Sequence, residues 1–319
     1  MGKIWSFGIF SEEEGFDIEK NKPQNLIKLF CSRQIRVKSK HPHTLADPFL
    51  YVHNDELYVF AEIEEINREA YINCWKTSDL NNWIDLGPVL SLDCHISYPY
   101  IFNDNAGNIY LIPETRKLQE VSIWKFDDFP FHLTKVNSIL KGDYYDSNIF
   151  YRNNYYYLVT AYNDKSLKIF YSPDLLGNNW VPHPANQMCL KSKAYRNGGS
   201  IVYGNTLYRV AQDFQNGYGK KVCIYKIRSL DNNKFEEELI TEDFSVNGEY
   251  KWLEEGKHHV SAVKFKNRII IALDGLGNDY KINRLLNGLF RLVNFKFNIY
   301  ILLIVLYNTY VFSSINMIE

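Results

Sequence analysis

The 319 residues are poor in the features that would give a quick answer. Cysteine is scarce and scattered: Cys31, Cys74, Cys94, Cys189 and Cys223 make an odd count with no CxxC spacing. That excludes a disulfide framework and a thiolate zinc site, and makes a reducing cytoplasm the expected setting. Net charge is also lacking. The balance of −1 leaves no global field to steer the chain onto nucleic acid, and the local basic run at 20–40 reads as a solvated surface segment. No apolar segment of the length a signal peptide needs precedes the acidic Glu12–Glu14, so no secretory signal is expected. Helical 3.6-residue periodicity is missing across residues 45–275, which argues against βαβ organisation.

What is abundant is strand-forming aromatic sequence. Aromatic residues reach 16%, with 24 Tyr and 20 Phe, and hydrophobic residues reach 46%, enough for a sizeable core. The chain also repeats. Polar residues open five short apolar strands at Asp47, Tyr98, Asp146, Asn197 and His259, spaced 51, 48, 51 and 62 residues apart. Each opening leads through an Asn-, Asp- or Gly-bearing turn into a second strand: HNDELYVFAE, NDNAGNIYLIPE, RNNYYYLVTAY, GNTLYRVAQD and KNRIIIALDG. The corner WKTSDLNNW at 75–83 recurs as FYSPDLLGNNW at 170–180. A repeat near 50 residues with about four strands is the signature of a propeller blade. The reading is therefore an all-β, five-bladed β-propeller over residues 1–280, with a short hydrophobic appendage at 281–319. The fifth repeat stops after Asp274. The segment at 4–10 and the C-terminal tail are both candidates for the strand that closes the ring.

The tail's apolar core, Ile299 to Tyr307, is about half of the roughly 20 residues a spanning helix needs. A buried strand, an interfacial membrane anchor and a poor span stay open for it, and with them membrane contact.

Because the first strand of each blade lines the axis, the repeat phase also predicts a site. One mouth of the channel should gather Asp47, His95–Tyr98, Asp146, Arg196–Asn197 and His258–His259, together with the second-strand ends Glu62, Glu114, Tyr162, Gln212–Asp213 and Asp274. Carboxylates crowded into a cleft split their pKa values into an acid and a base, the pair that glycoside hydrolysis requires. Tyrosine-rich walls suit sugars, whose apolar ring face packs on an aromatic face. The expected catalytic group is Asp47, Asp146 and Glu114. The expected substrate contacts are Arg196, Asn197, Gln212, Asp213, His258, His259 and Asp274. Glu62 lies in an acidic run and reads as solvated. No cofactor is implied. A cation on the axis, with His258 or His259 among its ligands, stays open, although no metal-ligand spacing marks one.

The motifs ADPF (46–49), IPE (112–114), YDSNIF (145–150), SPDLLGNNWVPHP (172–184), YRNGG (195–199), RVAQD (209–213), HHVSA (258–262) and ALDG (272–275) together resemble one family. It is the N-terminal propeller domain of plant glucosamine inositolphosphorylceramide transferase and its stand-alone microbial relatives. That domain is similar in turn to the five-bladed propellers of glycoside hydrolase family 43, invertase and levansucrase. The hydrolase pattern implies an Asp base on blade one, an Asp modulator on blade three and a Glu acid on blade four. Asp47 and Asp146 stand at the first two places. Blade four opens with Arg196-Asn197-Gly198-Gly199 and offers no glutamate, so Glu114 or Asp213 would have to replace the acid. The resemblance implies no transferase chemistry for this stretch, because in the plant protein that chemistry is attributed to a separate C-terminal domain. The expected role is to bind, and in one version process, a sugar or glycoconjugate in surface-glycan or glycolipid assembly. A glycosidase and a non-catalytic scaffold are the alternatives.

Overall fold

A computed structural model describes residues 3–32, 44–65, 70–163, 165–188 and 193–278. The C-terminal tail and Cys189 lie outside the described residues.

The described strands form five sheets arranged as the blades of a propeller. Blade I is Thr44–His53, Glu56–Glu64, Ala70–Thr77 and Ile84–Ser91. Blade II runs Ser97–Asn103, Ile109–Glu114, Glu120–Asp128 and His132–Lys141; blade III runs Tyr144–Arg152, Tyr155–Tyr162, Ser166–Ser172 and Val181–Pro182. Within each of these three blades neighbouring strands pair antiparallel in chain order, as successive hairpins must. The duplicated corner has one local cause. In blade I the Thr77 hydroxyl accepts from Leu80 N at 2.9 Å and Asp79 accepts from Asn81 N and Asn82 N. In blade III the Ser172 hydroxyl accepts from Asp174 N and Asp174 from Leu176 N. Short polar side chains thus satisfy the turn's backbone donors.

Blade V is closed by the N-terminus. Lys3–Glu13 pairs antiparallel with Arg268–Asn278 over its whole length and carries Leu26–Phe30 on its outer side. Closing a ring with the first strand ties the chain's start to its last blade and removes an exposed edge. Phe7 and Ile9 of this strand are fully buried with Val59, Trp75 and Ile270, which fastens blade V to blade I. A second apolar cluster, including Phe49, Tyr98, Leu111 and Leu158, joins blades I to III. Tyr157, Ile169, Ile227 and Leu230 join III to IV.

The seam between blades IV and V is built differently. The inner strand of blade IV divides: Arg196–Asn197 pairs with Gln212 and Ala211 of its own blade, and Gly199–Val202 then crosses to pair in parallel with Val260 to Val263 of blade V. The Gly198-Gly199 step makes the crossing. A Cβ on Gly199 would lie 1.9 Å from Val260 O, and its φ of +123° is closed to L side chains. Gly204 also has positive φ (+70°) but faces open space. We therefore expect Gly199→Ala to cost about 3 kcal/mol or more, while Gly204→Ala costs about 1 kcal/mol, in urea unfolding monitored by circular dichroism. Equal effects would contradict this account of the seam.

Candidate active site at the axial mouth

The polar openings share a backbone device. Asp47, Tyr98 and Asp146 have left-handed φ values of 53°, 48° and 45°. Each sits where the pairing of its inner strand slips, between Ala46 and Phe49, Ser97 and Tyr100, and Tyr145 and Asn148. Such bulges re-aim a side chain, and strained φ persists only where the surroundings enforce it. Tyr98 is held by its hydroxyl, which donates to Asn148 Oδ1 at 2.7 Å and accepts from Gly199 N at 3.0 Å.

At the centre Arg196 joins three blades. Its guanidinium forms a charge-assisted fork with Asp146, through Nε to Oδ2 and Nη2 to Oδ1, and Nη2 also donates to Glu114 Oε2 at 3.1 Å. Asp146 is closed off further by Gln212 Nε2 at 3.0 Å. Asn197 donates to Asp146 O at 2.7 Å and Val159 O at 2.9 Å, fastening blade IV to blade III. The Arg196 guanidinium lies 5.4 Å from the Tyr145 ring and 5.7 Å from the Tyr218 ring.

Beside this clamp stands a carboxylate–imidazole group. Asp274, fully buried, accepts from His258 N and His259 N at 2.9 Å each and from Asp47 N at 3.3 Å. His258 Nδ1 lies 2.5 Å from Asp274 Oδ2, and its Nε2 lies 4.0 Å from Asp47 Oδ1. His259 is wedged edge-on against Phe49 and Tyr98 and turns Nδ1 toward Asp47 Oδ1 at 3.4 Å. Asp47 Oδ2 accepts from Tyr98 N at 3.2 Å.

These environments push the carboxyls apart. Burial alone would raise Asp47, but the His259 contact and the charges of His258, His259 and Arg196 outweigh it and hold the carboxyl at about 2. Burial drives Glu114 well above the ordinary glutamate range; Arg196 opposes this, and the neighbouring Asp146 and Asp47 add to it. One group is thus kept ionised and the other favours its proton, the division acid–base chemistry needs. Burial would lower His258, yet the Asp274 carboxylate and then Asp47 raise it to about 9.

Of the predicted residues, Asp47, Glu114, Asp146, Arg196, Gln212 and His258 come together. Asn197, His259 and Asp274 adjoin them and are fully buried. Asp213 stands apart, its carboxylate capping the following loop at Gln215 N, 2.7 Å. Glu62, read as solvated, is buried and pairs with His95 Nε2 at 3.1 Å; burial raises its carboxyl above the usual range. Sequence reasoning missed the aromatic side of the mouth. Trp5 stacks on His258 with centroids 4.1 Å apart, Tyr218 stands edge-on to the same imidazole at 5.3 Å, and Phe214 stacks on Tyr195. The strict alternation of Trp5 with the core residues Phe7 and Ile9 was the available signal.

Two donor groups bring their ligand atoms within 4.8 Å of one another: Asp47, His258 and Asp274, and Glu62, Glu64 and His95. In the first, Asp274 is already matched by His258 and by backbone N–H groups; in the second, Glu62 is matched by His95.

The fold is shared with solved glycoside hydrolases. A glycosyl hydrolase from Bacteroides ovatus superposes with a TM-score of 0.57 at 13% identity, covering 85% of this chain and 93% of that one. The catalytic domain of the Coprinopsis cinerea GH62 α-L-arabinofuranosidase gives 0.55 at 11% identity, covering 75% and 93%. At such identities the likeness is one of fold. Residues 4–276 match the family described as glucosamine inositolphosphorylceramide transferase 1, N-terminal, and the chain belongs to that family. Glucosamine inositolphosphorylceramide transferase 1 of Arabidopsis thaliana is 29% identical over 294 residues, which is 84% of this chain and 38% of the relative. The Oryza sativa subsp. japonica protein is 29% identical over 232 residues, 68% and 31%. The chain spans about a third of the length of these curated relatives.

The sign of the pH dependence follows from His258. Its folded value, about 9, lies above the ordinary 6.5, so its stabilising contribution is fully present below pH 6.5 and is lost as pH rises through 9. Wild type should lose on the order of 3 kcal/mol of unfolding free energy across that window. The His258→Gln variant should show a flatter profile in urea titrations. Parallel profiles would refute the His258–Asp274 pairing.

Proposed function

We propose that this propeller binds a sugar or glycoconjugate at its axial mouth, in the service of surface-glycan or glycolipid assembly. The observation that carries the reading is the two-sided character of the mouth. Asp47 and Glu114, on blades I and II, supply hydrogen-bonding carboxyls; Tyr145 and Tyr218, on the Arg196 side, supply ring faces. A pyranose matches that division, with hydroxyls along its edge and C–H groups on its face. The names of its relatives and of its fold neighbours support a carbohydrate ligand.

The charge balance narrows the choice. Arg196 is consumed by Asp146 and Glu114, and His258 by Asp274, so no cation is left over among them for an acidic substituent. Neutral or amino sugars therefore fit better than uronic acids. A processing role is favoured by one specific observation, the opposite shifts of Asp47 and Glu114. In that version Asp47 activates water, Glu114 protonates the leaving oxygen and Asp146 steadies Arg196 between them.

Six methyl glycosides, of glucose, galactose, xylose, arabinose, glucosamine and glucuronic acid, test both versions by calorimetry and ligand-observed NMR. We expect binding of at least one neutral or amino sugar, weaker binding of the glucuronide, and loss of binding in Glu114→Ala. Silence across the panel contradicts the reading. In parallel assays with aryl glycosides, Asp47→Asn should lower any turnover by about 100-fold or more. An inert wild type leaves binding alone and removes the hydrolytic version.

A further inference from the structure

We infer that Trp5, carried on the strand that closes the ring, is a ligand-stacking platform of the mouth, so that ligand occupancy and ring closure are coupled. The inference rests on the sugar-binding reading above and assigns to the site a residue that the repeat pattern does not contain.

Trp5 belongs to Lys3–Glu13, where it faces Leu276 across the pair two residues from the Phe7–Asp274 position. Phe7 and Ile9, on the same face of the strand, are fully buried between blades V and I. Trp5 continues their row past the end of the core and is only partly buried. Tryptophan is seldom fully buried, so the direction its ring takes matters more than its exposure. This one ends in the mouth, lying nearly parallel to His258 at an interplanar angle of 19° and edge-on to Tyr218 at 6.4 Å.

The surroundings hold the indole in place. Gly219 is left-handed (φ +68°), and a Cβ there would lie 2.8 Å from the Trp5 ring. The loop between the blade IV strands Tyr208–Asp213 and Lys221–Leu230 is thus shaped to admit it. The His258 ring stacked on it is fixed by Asp274 at 2.5 Å and by a backbone bond to the same carboxylate. An indole clamped in one orientation and partly open pays little ordering entropy when a sugar face settles on it, as effective aromatic anchors do. Tyr218 beside it is 51% exposed and reaches the Arg196 guanidinium. The aromatic side therefore runs without a break from the closing strand to the clamp.

A contact made through Trp5 is made through the first strand of the chain. Ligand that binds only the closed ring stabilises that strand by mass action. The experiment uses the full chain, its Trp5→Ala and Trp5→Phe variants, and the six methyl glycosides. Wild type should bind, Trp5→Ala should lose about tenfold or more in affinity, and Trp5→Phe should recover most of the loss. Sugar should also slow amide exchange across Lys3–Glu13 in wild type, and the sugar-induced change in tryptophan emission should vanish in Trp5→Phe. Unchanged affinity in folded Trp5→Ala overturns the inference while leaving the sugar site standing. If Trp5→Ala does not fold, the Phe variant decides: an emission change that persists without the indole overturns it. A wild type that binds no glycoside overturns the site reading and this inference together.

Discussion

A half-buried arginine that faces two carboxyl groups is the interaction on which the mouth depends. Arg196 stands on blade IV, Asp146 on blade III and Glu114 on blade II. Each charge is expensive to hold away from water, and each is made tolerable by the others. The cost is lowest when all three blades keep one spacing, so the same electrostatics that serve the site also define the ring's inner radius. Arginine suits the place better than lysine would, because its planar fork addresses Asp146 through two parallel bonds while its faces lie against Tyr145 and Tyr218. Removing the guanidinium would leave Asp146 beside Glu114 without its counter-ion.

Around that clamp the fold supplies a repeated means of presentation. A left-handed residue within a slipped register recurs at Asp47, Tyr98 and Asp146, and in blade IV the same phase falls on the Asn197-Gly198-Gly199 step, where the strand divides. Blades I and III use the device to present a carboxylate. Blade II uses it to present a tyrosine whose hydroxyl reaches into blades III and IV. One backbone solution has therefore been put to both structural and chemical use. The inner strand of blade IV opens without a glutamate, and the carboxyl that stands beside Arg196 together with Asp146 is Glu114 of blade II.

The ring itself was legible because its signals are local. Polar strand openings at near-constant spacing, turn residues between paired strands and the duplicated Thr/Ser–Asp corner each arise within a few residues of sequence. The polar half of the mouth was legible for the same reason, since Asp47, Asp146 and Arg196 occupy one repeat phase. The aromatic half was not. Trp5 precedes the first repeat, Tyr218 lies in a loop unlike those of the other blades, and among so many aromatic residues neither is distinguished by type. Burial was also out of reach: Glu62 looks solvated in an acidic run, and only the folded chain shows His95 beside it. Asp213 kept its phase but lost its side chain to a loop-capping bond that its neighbour Gln212 did not make.

The most direct measurement of the central claim is a double-mutant cycle on unfolding free energy with Arg196→Met and Asp146→Asn. If the two groups form the clamp described, the single substitutions are strongly destabilising and the double substitution costs much less than their sum, with a coupling of about 1.5 kcal/mol or more. Additive effects would mean that Arg196 and Asp146 do not meet, and the convergence of blades II, III and IV on one mouth would be contradicted.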